Sequence, residues 1–65
     1  MKKLWRGILR DMPELPARFI RGGFIFMPTL DPKYGPSLYV WGEEGQTSGD
    51  WLPLVPEIRI TTVVS

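Results

Sequence analysis

The 65-residue chain has no cysteine and no histidine. Those two absences remove disulfides, thiolate and imidazole metal sites, every catalytic pairing that needs an imidazole base, and the usual switch near neutral pH. The net charge is +1, with 43% apolar and 12% aromatic residues, a composition of small globular domains and not of disordered segments.

This length accommodates a single domain, residues 1–65, near the lower limit for a core held without staples. The missing cysteines suit a reducing compartment, so a cytoplasmic location is expected. The near-neutral total conceals a gradient. Residues 1–21 hold six cations against two acids, and residues 22–65 hold two cations against five acids. Such a chain can present opposite charge at its two ends, or its halves can neutralise each other within one fold.

The opening MKKLWRGIL has the basic start and apolar residues of a leader, but Arg6 and Arg10 interrupt the apolar run and no small-residue cleavage site follows. No stretch approaches the ~20 apolar residues of a membrane span, and a soluble protein is expected. Residues 2–12 are open to two readings. Leu4, Trp5, Ile8, Leu9 and Met12 recur at helical spacing, which slightly favours a short amphipathic helix. As a strand, one face would carry Leu4, Arg6, Ile8 and Arg10, and the other Trp5, Gly7, Leu9 and Asp11, neither of them clean.

Pro13 and Pro16 make the next residues a connector. Two short β-forming runs follow, Arg18–Arg21 and Phe24–Met27, separated by Gly22–Gly23. That pair serves equally as a hairpin turn or as a glycine bulge in one long strand. Asp31–Pro32 and Gly35–Pro36 bracket a loop, after which SLYVW reads as the clearest strand. It sets Leu38 and Val40 on one face and Tyr39 and Trp41 on the other. Pro53 and Pro56 confine WLPLVP to an edge strand or an extended segment. Glu57–Val64, β-branched almost throughout, reads as a final half-buried strand. The expected fold is mainly β: a small antiparallel sheet or partly open barrel of about four to five short strands, with the first segment as a short helix or an extra strand.

The interval GEEGQTSGD, residues 42–50, has the glycines of a cradle but not its chemistry. A phosphate loop needs a lysine after its glycines, and here three acids stand instead. Glu43, Glu44 and Asp50 also miss the order of a calcium loop. The interval reads as a solvated connection or a protein-contact loop, with no metal and no cofactor. Adjacent Glu43 and Glu44 would point apart in an extended chain, so no acid pair converges for catalysis and no enzyme is expected.

Three tryptophans, two tyrosines and three phenylalanines are a large share of so short a chain, and most of them are needed for its core. If Leu38 and Val40 are buried, Tyr39 and Trp41 form an outer patch of the kind that anchors interfaces. Tyr39, Trp41, Glu43, Glu44 and Trp51 are therefore the expected partner-binding residues. The expected role is a non-catalytic module that occupies a surface of a larger protein or complex. Small inhibitors, adaptors and accessory subunits, including those encoded by phages and other mobile elements, fill such a role. The alternative is a small-barrel nucleic-acid binder using Lys2, Lys3, Arg6, Arg10, Arg18, Phe19 and Arg21, with Phe19 stacking on bases.

Overall fold

A computed structural model describes residues 1–64. Five strands, β1 (Lys2–Leu9), β2 (Phe19–Arg21), β3 (Phe24–Asp31), β4 (Gly35–Glu43) and β5 (Ile60–Val64), form one antiparallel open sheet in the order β2-β3-β4-β1-β5. The mainly β expectation holds, and the sheet is open rather than closed into a barrel.

Strands β2, β3 and β4 form a meander joined by tight turns. Gly22 and Gly23 make the first turn at φ +56° and +81°, a conformation costly to any residue with a Cβ, so the Gly-Gly pair is a hairpin turn and not a bulge. At the second turn the Asp31 carboxylate accepts the backbone N–H groups of Lys33 and Tyr34 at 2.8 and 3.0 Å. This local Asx arrangement fixes the chain reversal before Gly35.

Residues 2–9 are a strand, so the favoured helical reading of this segment is corrected. β1 pairs with β4 from Lys2↔Glu43 to Ile8↔Ser37 and with β5 along its other edge. Ladder bonds on both edges outweigh the weak helical preference of a short run containing Gly7.

One face of the sheet carries the core. Trp5 and Leu9 from β1, Phe24 and Phe26 from β3, and Leu38 and Val40 from β4 all point to it and are buried. The β4–β5 connection closes over this layer. A one-turn helix, α1 (Ser48–Trp51), runs into a 3-10 turn at Leu52–Leu54. This is the second correction, because WLPLVP is neither an edge strand nor extended. Asp50 accepts the N–H of Thr47 at 2.7 Å and so starts a helical turn, while Pro53 sits early in the 3-10 turn, where its missing N–H costs little.

The short helix drives Trp51 into the core, fully buried and edge-on to Phe26 at 6.2 Å between ring centres. Val55 follows it inward. Arg21 ties the cover to the far hairpin by donating to the Leu54 carbonyl and pairing with Glu57.

Candidate functional site: the uncovered face of the sheet

Strand alternation places a second set of side chains on the opposite face, where no helix of the described residues packs, although the β3–β4 turn sets Tyr34 against Arg6 and Ser37 is fully buried. Cross-strand register arranges them in three rows. The first is Ile20–Ile25–Trp41–Leu4, the second Met27–Tyr39–Arg6–Val64, and the third Thr29–Ser37–Ile8–Thr62. Seven of these twelve are apolar residues other than tyrosine, and an aromatic stands in each of the first two rows. Ile20 is 64% exposed and Leu4 36%, whereas Trp41, Tyr39, Ile25 and Met27 are half-buried by one another. A sheet with one face open to water ordinarily alternates apolar and polar residues. Here both faces are apolar near the middle of the sheet.

Arg6 lies in the second row. Its guanidinium carbon is 4.8 Å from the centre of the Tyr34 ring and 4.9 Å from that of Tyr39. Among the described residues Arg6 forms no ion pair, and its Nε is buried without a hydrogen-bond partner. A shallow hollow of about 90 Å³ lined by Leu4, Trp5, Arg6 and Val64 opens beside it.

Asp31 braces this arrangement. Its carboxylate accepts the Tyr39 hydroxyl as well as the two turn N–H groups. The Tyr39 hydrogen bond, and then those from Tyr34 and Lys33, hold the Asp31 carboxyl below its ordinary range, with attraction to Arg6 the smallest influence. The same bond raises the Tyr39 hydroxyl above its ordinary range, because ionising it would surrender the shared proton.

The expected partner-binding residues divide. Tyr39, Trp41 and Glu43 share the uncovered face, and Glu43 pairs with Lys2 at 3.5 Å at its rim. Glu44 follows at the turn, where its N–H donates to the Met1 carbonyl. Trp51 does not belong with them. It lies on the other side of the sheet with no exposed surface, and a partner could reach it only by displacing α1.

The basic set does not form one patch either. Alternation along β1 sends Lys2 and Arg6 to the uncovered face and Lys3 to the other, where it lies over Trp5 at 5.5 Å. Arg10 is 3.9 Å from Asp11, and Arg18 stands exposed in the connector before β2. Phe19 stacks on Phe26 at 5.1 Å with the Arg21 guanidinium 4.9 Å from its centre, and Arg21 itself is held by Glu57. Phe19 is thus a core-edge residue and presents no free platform to a base.

Sequence reasoning missed Leu4, Ile20, Ile25 and Met27 as members of the Tyr39/Trp41 surface. Their signal was register, which pairs Leu4 and Ile25 with Trp41 and Met27 with Tyr39. It also missed the Arg6–Tyr34–Tyr39 cluster, whose members come from β1, a turn and β4.

A larger hollow, about 230 Å³, lies between residues 10–13 and 57–59. Its two arginines, Arg10 and Arg59, are matched by two acids, Asp11 and Glu57, and Glu57 is committed to Arg21. Among the described residues no three His, Cys, Asp or Glu side chains gather where they could hold a metal ion. No helix among them is long and apolar enough to cross a membrane. Comparison with known proteins returned no match among family models, curated proteins or solved structures.

Proposed function

We propose that the protein is a non-catalytic binding module, a small inhibitor, adaptor or accessory subunit that occupies the surface of a larger protein through the uncovered face of its sheet. One observation carries this reading: the β4–β5 connection packs over the core on one face, while the other leaves Leu4 exposed and Ile25, Met27, Tyr39 and Trp41 only half-buried. A contiguous apolar patch rimmed by charge is what a docking surface requires. Tyr39 and Trp41 supply large, stiff anchors, and the Lys2–Glu43 pair forms a polar rim. A reducing cytoplasm suits a chain without cysteine.

The nucleic-acid alternative has less support. Its cations point to both faces of the sheet, and Phe19 has its ring packed against Phe26 and Arg21.

The test is affinity capture with the tagged full chain, with and without nuclease, beside a Tyr39→Ala/Trp41→Ala variant. A protein recovered in both nuclease conditions and lost with the variant supports the reading. Recovery that depends on nucleic acid, or that survives the variant undiminished, contradicts it.

A further inference from the structure

The uncovered face has a feature that apolar docking alone does not use: a half-buried cation that forms no ion pair among the described residues. Arg6 stands in the second row with Met27, Tyr39 and Val64, beside the hollow that Leu4 and Val64 help to line. Lys3, Arg18, Lys33 and Arg59 are exposed to water, and Arg6 alone of the lysines and arginines is half-buried. Lys2 has Glu43, Arg10 has Asp11 and Arg21 has Glu57, whereas Arg6 has two tyrosine rings and no carboxylate. Asp31 attracts Arg6 from a distance, but its oxygens accept from Tyr39, Lys33 and Tyr34 and form no ion pair with it.

The arrangement is held in place before any partner arrives. Asp31 fixes the turn that carries Tyr34 and the hydroxyl of Tyr39, and both rings hold the guanidinium within 5 Å of their centres. A guanidinium so placed keeps its planar set of N–H donors, which matches a carboxylate in bidentate fashion. Covering the face with a purely apolar surface would strip water from the rest of a guanidinium whose Nε already lies buried without a partner, which is strongly unfavourable. A partner that brings an anion to Arg6 avoids that cost.

We infer that the face receives a protein segment in which an acidic side chain is flanked by apolar residues. The carboxylate lands on Arg6 in the hollow beside Leu4 and Val64, and the flanking residues pack on Trp41, Ile25 and Met27. This rests on the docking function proposed above and adds the chemistry of the partner. Glu43 is paired with Lys2 at 3.5 Å, so the selecting charge on this face is positive and the partner contact is acidic.

The test is selection of a displayed random-peptide library on the folded full chain, followed by affinity measurement with synthetic peptides. Selected sequences are expected to share an Asp or Glu between apolar or aromatic residues and to shift backbone resonances of β1, β3 and β4. Changing that acid to its amide should weaken binding by about thirtyfold or more, the scale for breaking a desolvated charge pair. Arg6→Met, which keeps the stem and removes the charge, should weaken it equally and abolish the difference between acid and amide peptides. The peptide change leaves the protein untouched, so the result stands even if Arg6→Met folds poorly. Peptides that shift the same resonances without an acid, or with no loss on amidation, overturn the inference and leave the docking reading intact. No peptide binding to this face overturns both.

Discussion

The Tyr39 hydroxyl donates to the Asp31 carboxylate across the β3–β4 hairpin, so a single carboxylate sets both the turn and one ring of the uncovered face. Tyr39 is thereby a fixed part of the surface rather than a swinging side chain. Removing the carboxylate should loosen the turn carrying Tyr34 and the ring of Tyr39 together. The Asp31→Ala variant is expected to bind a partner of this face more weakly than wild type while the far hairpin at Gly22–Gly23 is unchanged. Amide resonances of residues 32–35 and 22–23 report the two sites separately, and equal shifts at both would refute the local assignment.

The acid side of the stability profile follows from the same bond. Asp31 is held below its ordinary value by Tyr39, then by the N–H groups of Tyr34 and Lys33. Glu57 is held below its own first by its backbone N–H and then by Arg21. Each carboxyl thus releases its proton more readily in the folded state. Its contribution is present above the unfolded value and is lost as pH falls through the folded value. Melting temperature should be flat between about pH 6 and pH 8 and should fall below about pH 4. Asp31→Asn should make that acid limb shallower, and an unaltered limb would contradict the assignment. Tyr39 works in the opposite sense: its raised value adds stability that is present below the ordinary tyrosine range and lost as pH rises through the folded value.

Gly42 should be one of the least replaceable positions. A Cβ there would lie 2.6 Å from Trp5 Cζ3, 2.7 Å from Phe24 Cε1 and 2.8 Å from Gln46 Oε1. Both rings are part of the core and meet edge-on at 6.1 Å, so neither can withdraw freely. Gly42→Ala is expected to cost about 1–3 kcal/mol, the usual penalty of overpacking. In a domain this small each kcal/mol lowers Tm by roughly 4–8 °C. A Tm within a degree or two of wild type would show that the core yields more than its packing implies.

Trp41 and Trp51 are ten residues apart and should behave as opposites. Trp51→Ala empties the space against Phe26 and should cost about 3–5 kcal/mol, enough to unfold most of so small a protein. Trp41→Ala removes a half-buried ring from the uncovered face and should cost about 1–2 kcal/mol, within the usual range for single substitutions. Chemical denaturation separates the two. Equal losses would mean that the uncovered face is as tightly packed as the covered one.

Nucleic-acid binding, where detected, should be weak and depend only modestly on salt. Because β1 sends Lys2 and Arg6 to one face and Lys3 to the other, few cations can reach one phosphate backbone together. The logarithmic salt slope is about −0.9 per duplex phosphate neutralised, so a slope no steeper than about −3 is expected. Tight, sequence-selective binding at physiological salt would revive the alternative function.

Much of the sheet is readable in the sequence, and the failures have a common cause. SLYVW alternates cleanly, and its Leu38 and Val40 are buried while Tyr39 and Trp41 are not. The strand β1 does not alternate cleanly because both of its faces are apolar: Trp5 and Leu9 enter the core, and Leu4 and Ile8 join the uncovered face. Two apolar faces blur a period of two into a pattern that also fits a helix. The property that hid the strand is therefore the one that marks the face.

Trp51 was misplaced for a different reason. Its helix is one turn long, and only the Thr47–Asp50 spacing announces it. Pro53 and Pro56 point to an edge strand or an extended segment, although proline also suits the start of a helical turn. Arg6 was visible only as one of several cations, because pairing it with Tyr34 and Tyr39 needs the register of β1 on β4.

The central claim is that the face bearing Trp41 is where a partner docks. The most direct measurement is the dissociation constant of the captured partner for wild type and for Trp41→Ala, with denaturation of each protein alongside. An anchor at the centre of an interface typically costs ~2 kcal/mol or more on truncation. The affinity should fall by roughly thirtyfold or more while the variant stays folded. A folded Trp41→Ala protein that binds the partner as tightly as wild type would contradict the claim.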